Sequence, residues 1–156
     1  MRIFAIDLGD QRTGLALADR ITSIASPAGL IETPIEHEDG RLLVSEIVKQ
    51  FQRQASGPET ELIIGLPLNM DNTEGPRAKL VRVFAQKLAT RLDRPIVLVD
   101  ERRTSIAADA RMSQTGLTHK QKKMRRDAIA AAAIAQIYLD EPDTSVVGTI
   151  DPIPHK

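Results

Sequence analysis

The fold is decided first by the opening stretch RIFAIDLGDQRTGLALA, residues 2–18. Its two apolar runs, residues 2–8 and 13–18, have the length of strands, and a polar turn containing Gly9 separates them. Residues 27–33 form a third candidate strand. Because short links favour antiparallel neighbours, we predict that the chain begins with an antiparallel meander of three strands.

Beyond residue 40, helical and strand patterns alternate. Apolar residues at helical spacing alternate with short, nearly continuous apolar runs that suit buried parallel strands. The predicted helices cover residues 41–54, 76–92, 104–112 and 119–139, and the predicted strands cover residues 61–67 and 95–99. This order predicts an α/β fold with a mixed five-stranded sheet, three antiparallel strands and then two parallel ones, and helices on both faces.

Length and composition narrow the class of protein. A chain of 156 residues suits one domain, which we place at residues 1–140, followed by an extended tail at residues 141–156 that holds three prolines. The absence of cysteine excludes disulfides, thiolate zinc sites and a cysteine nucleophile. Asp7 interrupts the first apolar run too early for a signal peptide, and no apolar run is long enough to span a membrane. We therefore expect a cytoplasmic protein without membrane contact.

Charge is balanced overall but distributed unevenly. The formal net charge is zero, from 21 basic and 21 acidic residues, which argues against holding nucleic acid by bulk charge alone. Acidic residues concentrate at residues 32–46 and basic residues at residues 119–126. A local basic face thus remains compatible with the composition.

Asp7 ends the first strand, directly before a turn that contains Gly9, Arg12 and Gly14. A lone acid at a strand end is usually satisfied by its turn. Two glycines nearby, however, let a phosphate or a metal-bound water approach the backbone closely. The pattern therefore favours a functional role for Asp7.

Two further acids are candidates for the same site. Glu101 follows Asp100 at the carboxyl end of a buried strand, where open α/β sheets keep their sites; a salt bridge to Arg102 or Arg103 is the alternative. Strand alternation points Asp100 and Glu101 in opposite directions, and either could face the site. Asp127 lies on the alanine-rich face of the long helix, with a surface pair to Lys123 as its alternative.

Three acids on separate elements suit hard divalent cations, which prefer oxygen ligands. Two Mg²⁺ or Mn²⁺ ions could activate a water and stabilise the leaving oxygen of a phosphodiester. The three histidines lack the spacing of zinc ligands. The sequence thus favours a metal site built from carboxylates.

The chain resembles the YqgF/RuvX family up to about residue 139. Four stretches carry the resemblance: Ile6–Asp19, Ile64–Gly75, Val99–Ser105 and Asp127–Ala132. It implies a ribonuclease H-like fold related to the RuvC resolvases, with Asp7, Glu101 and Asp127 at the family's acidic positions as metal ligands and catalytic residues. The family often has glycine where Asn72 stands, and because asparagine tolerates positive φ, we expect the loop to keep its shape.

Six side chains are candidates for contact with nucleic acid. Asn69 belongs to the loop of residues 68–75, whose backbone amides could grip a strand, although a plain surface crossover is the alternative. A basic cluster is usually a solvated face, but beside a nuclease carboxylate it becomes a candidate for phosphate contact. The candidates are Arg12, Asn69, Arg102, Lys120, Lys123 and Arg126.

The resemblance implies two functions, trimming of the 16S ribosomal RNA precursor and resolution of Holliday junctions. We favour a metal-dependent nuclease that processes the 5′ end of the 16S precursor. A junction resolvase needs two facing sites and hence a dimer, and the sequence leaves both monomer and homodimer open. A non-catalytic nucleic-acid-binding module is a further alternative. A phosphotransferase of the sugar-kinase type would need two related domains, for which the chain is too short.

Overall fold

A computed structural model describes residues 1–102 and 119–154, with the backbone alone for residues 119–125. The predicted helix at residues 104–112 lies outside this part. The strands are β1 Arg2–Asp7, β2 Thr13–Asp19, β3 Ile24–Ile31, β4 Glu61–Leu66, β5 Ile96–Asp100 and β6 Val146–Ile150. The helices are α1 Arg41–Gln54, α2 Pro76–Leu92, α3 His119–Asp140 and α4 Pro142–Ser145, and a short 3-10 turn, His37–Gly40, precedes α1.

The described strands form one mixed sheet in the order β3-β2-β1-β4-β5-β6. The first three strands are antiparallel, and β4 and β5 run parallel to β1. The predicted mixed sheet is confirmed, but it has six strands and not five. The additional strand, β6, pairs antiparallel with β5 and comes from residues that the sequence places in an extended tail. Gly148 interrupts its short apolar run, which hides the strand from pattern reading.

The third strand begins earlier than the sequence predicts. It covers Ile24–Ile31, whereas the pattern after Pro27 favours residues 27–33. Proline cannot donate a ladder hydrogen bond and is tolerated at sheet edges. Since β3 is an edge strand that pairs with β2 alone, Pro27 can lie inside it.

Strand alternation divides the core into two layers. On one face, Phe4 and Ile6 pack with the apolar sides of α1 and α2. On the other, Ile3 and Ala5 pack with alanines of α3. Because successive side chains of a strand point to opposite faces, Asp7 continues the row of Ile3 and Ala5 and faces α3. None of the described helices has the length and apolar composition that a membrane span requires.

A polar cluster fastens α3 to the sheet edge opposite Asp7. Arg20 donates two hydrogen bonds to the Glu61 carboxylate, and the Tyr138 hydroxyl donates a third at 2.7 Å. The Arg20 guanidinium also lies 5.3 Å from the centre of the Tyr138 ring. The hydrogen bonds from Arg20 hold the pKa of Glu61 below its usual value, and burial raises the pKa of Tyr138 to about 12.

We predict that Glu61→Gln destabilises the protein by about 1 kcal/mol at neutral pH. The folded pKa of Glu61 lies below its ordinary value of 4.5, so its contribution is complete above that pH and is lost as the pH falls through the folded pKa. The gap between wild type and variant, measured by urea unfolding at neutral pH and at an acid pH below 4.5, should therefore narrow in acid. The exposed Glu59→Gln is the control. A gap of equal size at both pH values would contradict this account.

Candidate active site

Asp7 and Glu101 meet across the middle of the sheet. Asp7 ends β1, Glu101 directly follows β5, and β4 lies between these strands. The two side chains are hydrogen-bonded to each other. The Glu101 amide donates to the Leu66 carbonyl at 3.4 Å, which keeps Glu101 at the end of the β4–β5 ladder.

Gly65 makes the space in which the two carboxyl groups meet. A Cβ atom at this position of β4 would lie 2.4 Å from Glu101 Oε2 and 2.6 Å from Ile134 Cδ1. A side chain at this position would therefore have to displace the ends of both Glu101 and Ile134. Alternation also settles the direction of Glu101, because it shares the row of Val97 and Val99, which pack on the α3 side.

The electrostatics of this pair are unusual. Burial raises the pKa of Asp7 well above its ordinary value, and the negative charges of Glu101 and Asp127 add to the rise. Burial likewise raises the pKa of Glu101. Two carboxyl groups can hydrogen-bond to each other only when one carries a proton. Burial and mutual repulsion therefore both disfavour two ionised carboxylates at this place, where a cation would satisfy both groups.

Asp127 is brought beside Asp7 by a close contact between α3 and β2. Gly14 pairs with Asp7 in the β1–β2 ladder, and a Cβ atom on Gly14 would lie 1.9 Å from the Asp127 carbonyl oxygen. The side chain of Asp127 accepts a hydrogen bond from Arg12 Nε at 2.9 Å. The structure thus gathers the three predicted acids at one edge of the sheet, with Arg12 holding the third.

Asp100 points away from this group. Its carboxylate pairs with Arg102, whose Nη2 lies 2.6 Å from Asp100 Oδ2. Arg102 also donates from Nη1 to the Asn69 carbonyl at 3.3 Å, which ties the loop of residues 68–75 to the end of β5. The salt bridge to Arg102 that the sequence offers as the alternative at this strand end is therefore formed by Asp100.

The loop of residues 68–75 is held by its own side chains. Asn69 donates to the Thr73 hydroxyl at 2.9 Å, and Leu68 and Glu74 form an isolated antiparallel bridge. Asn72 has a φ of 68°, the positive value that asparagine was expected to tolerate in place of the family's glycine. The Asn69 side chain is thus engaged within the loop.

The other predicted nucleic-acid contacts are placed unevenly. Arg12 is ion-paired with Asp127 of the site, whereas Arg102 is ion-paired with Asp100. Arg126 is exposed. The side chains of Lys120 and Lys123 lie outside the described residues. All six contacts stay predictions.

Asp7, Glu101 and Asp127 offer carboxylate oxygens, which are ligands of the kind that divalent cations bind. Within residues 1–102 and 119–154, no three acidic or histidine side chains are grouped tightly enough to hold an ion as they stand. In the structure, Asp7 and Glu101 are hydrogen-bonded to each other, and Asp127 is bonded to Arg12. Carboxylate oxygens are nevertheless the ligands that Mg²⁺ and Mn²⁺ prefer, and clustered acids with raised pKa values gain from a cation.

A family model described as "RuvX: Holliday junction resolvase" matches residues 1–141. The chain belongs to the RuvX family. Among its relatives, an Anaeromyxobacter dehalogenans protein is 39% identical over 140 residues, covering 90% of this chain and 97% of the relative. A Roseiflexus protein is 34% identical, covering 89% and 94%. Both carry the name "Putative pre-16S rRNA nuclease".

Solved structures support the fold of this RuvX-family protein. Thermus thermophilus RuvC in complex with a Holliday junction substrate matches with a TM-score of 0.55 at 14% identity, covering 94% of this chain and 99% of that one. A second Thermus thermophilus RuvC structure gives a TM-score of 0.52 at 12% identity, with coverage of 94% and 100%. The ribonuclease H-like fold expected from the resemblance is confirmed.

Sequence reasoning missed three residues that shape the site: Gly65, Arg77 and Asp10. Arg77 lies in the first turn of α2, donates to the Leu8 carbonyl at 2.7 Å and forms an ion pair with Asp10. Its positive charge opposes the rise in the pKa of both Asp7 and Glu101 without cancelling it. One signal was available, because a basic residue in the first turn opposes the helix dipole. The role of Gly65 needs the register of three strands and is invisible in one sequence.

We predict that Gly65→Ala destabilises the protein by about 1–3 kcal/mol, because the added methyl overlaps Glu101 and Ile134. Gly148→Ala is the matched control in a strand of the same sheet, since a Cβ atom there meets nothing closer than Leu98 Cδ1 at 3.5 Å. The measurement is the free energy of unfolding in urea. Equal losses for the two variants would show that close approach at Gly65 is not the constraint.

Proposed function

We propose that this protein is a divalent-metal-dependent nuclease that hydrolyses phosphodiester bonds. The proposal rests chiefly on the Asp7–Glu101 carboxyl pair, which lies buried beside a third acid, Asp127. Such a pair is costly to bury without a counter-charge. Membership of a family whose descriptions name nucleases supports the same conclusion.

Asp7, Glu101 and Asp127 would hold Mg²⁺ or Mn²⁺, most economically as two ions. When bound, such ions supply an activated water and stabilise the leaving oxygen. The glycines of the site position these ligands. Gly65 leaves room for the Glu101 side chain, and the close contact at Gly14 lets Asp127 of α3 approach the sheet. Arg12 holds Asp127 at 2.9 Å and becomes available to a phosphate when a cation takes over that carboxylate.

For the substrate, we propose the 5′ end of the 16S ribosomal RNA precursor, cut in the cytoplasm during ribosome biogenesis. The names of relatives at 34–39% identity support this choice. The family description favours a second candidate, the four-way DNA junction. A zero net charge suits a focused trimming role better than wrapping a junction. Either a monomer or a homodimer serves the RNA role, whereas the junction requires the dimer.

The deciding experiment compares a 5′-extended 16S precursor with a four-way DNA junction, each with Mg²⁺ or Mn²⁺. We expect cleavage of the RNA, and a loss of at least about a hundredfold in Asp7→Asn, because one oxygen ligand loses its charge. Asp151→Asn makes the same chemical change at an exposed position and should cut like wild type.

Each other result has its own meaning. If Asp7→Asn cuts as well as wild type, the proposed site is wrong. If only the junction is cut, the site stands and the substrate assignment fails. RNA binding without cleavage under either ion would support the non-catalytic binding module instead.

A further inference from the structure

The guanidinium of Arg77 contacts a backbone carbonyl and an exposed carboxylate. Its Nη2 donates to the carbonyl of Leu8, the residue after Asp7, at 2.7 Å. Its Nη1 contacts the carboxylate of Asp10 in the β1–β2 turn. The contact with the Leu8 carbonyl holds the guanidinium next to the site of Asp7. The contact with Asp10 occupies Nη1 of the guanidinium.

The Asp10 partner differs from the partners of the other arginines at this edge. The Asp10 side chain is 70% exposed, compared with 31% for Asp127 and 20% for Asp100. An exposed ion pair contributes little free energy. Asp10 can therefore be replaced by another anion at small cost, whereas the Asp100–Arg102 pair is less exposed on both sides, at 20% and 26%.

The position of Arg77 is costly for the helix that carries it. It follows Pro76 at the start of α2, where the macrodipole favours acidic and not basic side chains. Its positive charge nevertheless lies close enough to favour the ionised forms of both Asp7 and Glu101. A guanidinium also presents a planar set of donors that matches phosphate.

We propose that Arg77 binds a backbone phosphate of the nucleic-acid strand beside the carboxyl group of Asp7, and that Asp10 occupies that phosphate's place in the free protein. The inference rests on the proposed function only for the nature of the ligand. The Leu8 carbonyl sets the direction of the guanidinium, and the incoming phosphate exchanges with the Asp10 carboxylate.

This exchange predicts opposite effects for the two partners of one ion pair. Removing the guanidinium in Arg77→Met removes a phosphate contact and weakens binding. Removing the competing charge in Asp10→Asn frees Arg77 and strengthens binding. An ion pair that only fastens the β1–β2 turn would make both variants change in the same direction.

The test is fluorescence anisotropy with a labelled single-stranded RNA oligonucleotide, and in parallel a four-way DNA junction, in EDTA so that binding is read without metal-dependent cleavage. We expect about tenfold weaker binding for Arg77→Met, and a salt dependence of RNA binding whose slope falls by about 0.7. Asp10→Asn should bind about threefold more tightly. Arg77→Lys keeps the charge but not the planar fork, and should fall between wild type and Arg77→Met.

Lys87→Met is the matched control, because it removes one positive charge and one hydrogen bond to a carbonyl, that of Asp39 at 2.7 Å, from the same helix. We expect it to bind like wild type. Thermal unfolding of every variant shows whether the fold is intact, and Asp10→Asn carries the test if Arg77→Met does not fold.

Unchanged binding by Arg77→Met, or parallel weakening by Asp10→Asn, would overturn the assignment while leaving the proposed nuclease intact. Opposite shifts seen with the junction alone would support the role of Arg77 and contradict the RNA substrate. Absence of binding to either nucleic acid by wild type would overturn the assignment of Arg77, whereas the nuclease itself is tested by the cleavage assay with Mg²⁺ or Mn²⁺.

Discussion

The contact between Asp7 and Glu101 is the constraint on which the rest of this structure depends. Two carboxyl groups withdrawn from water repel each other when both are ionised, and the burial of each raises its pKa. A proton, a nearby guanidinium or a metal ion can relieve the repulsion. The fold supplies a guanidinium, that of Arg77, and leaves the proton and the metal ion to come from solution.

Small residues make that contact possible. Gly65 leaves the space over β4 in which the carboxyl groups meet, and Gly14 lets the backbone of α3 approach the sheet at Asp127. Further along α3, the alanines that face the sheet keep the helix close, as Ala131 and Ala135 are fully buried. A large side chain at either of these two alanines would push α3 off the sheet and move Asp127 away from Asp7.

The sequence pattern correctly predicted those helices in which apolar residues recur at helical spacing along one face. Helices α1 and α2 begin and end at the predicted residues, because each buries one stripe and is bounded by glycine, proline or a polar turn. Strand β6 was missed because five residues with a central glycine carry too little periodicity. The predicted bounds of the edge strand β3 were wrong because proline marks a boundary in most strands but is tolerated within an edge strand.

The acids of the candidate site could be predicted from the sequence, although some of the residues around them could not. These acids stand out in sequence because each interrupts or ends an apolar segment, and the family resemblance chose Glu101 over Asp100. The physical basis of that choice, the alternation of side chains along β5, needs the orientation of the strand. Arg77 and Asp10 were not predicted, since their relation spans 67 residues and depends on how α2 docks beside the first turn.

The central claim is that Asp7, Glu101 and Asp127 form a divalent-cation site, and anomalous X-ray diffraction from crystals grown with Mn²⁺ tests it most directly. The account predicts a manganese peak bounded by oxygens of all three carboxylates, with the hydrogen bond between Asp7 and Glu101 replaced by bonds to the ion. Manganese bound only elsewhere, with Asp7 and Glu101 still bonded to each other, would contradict it.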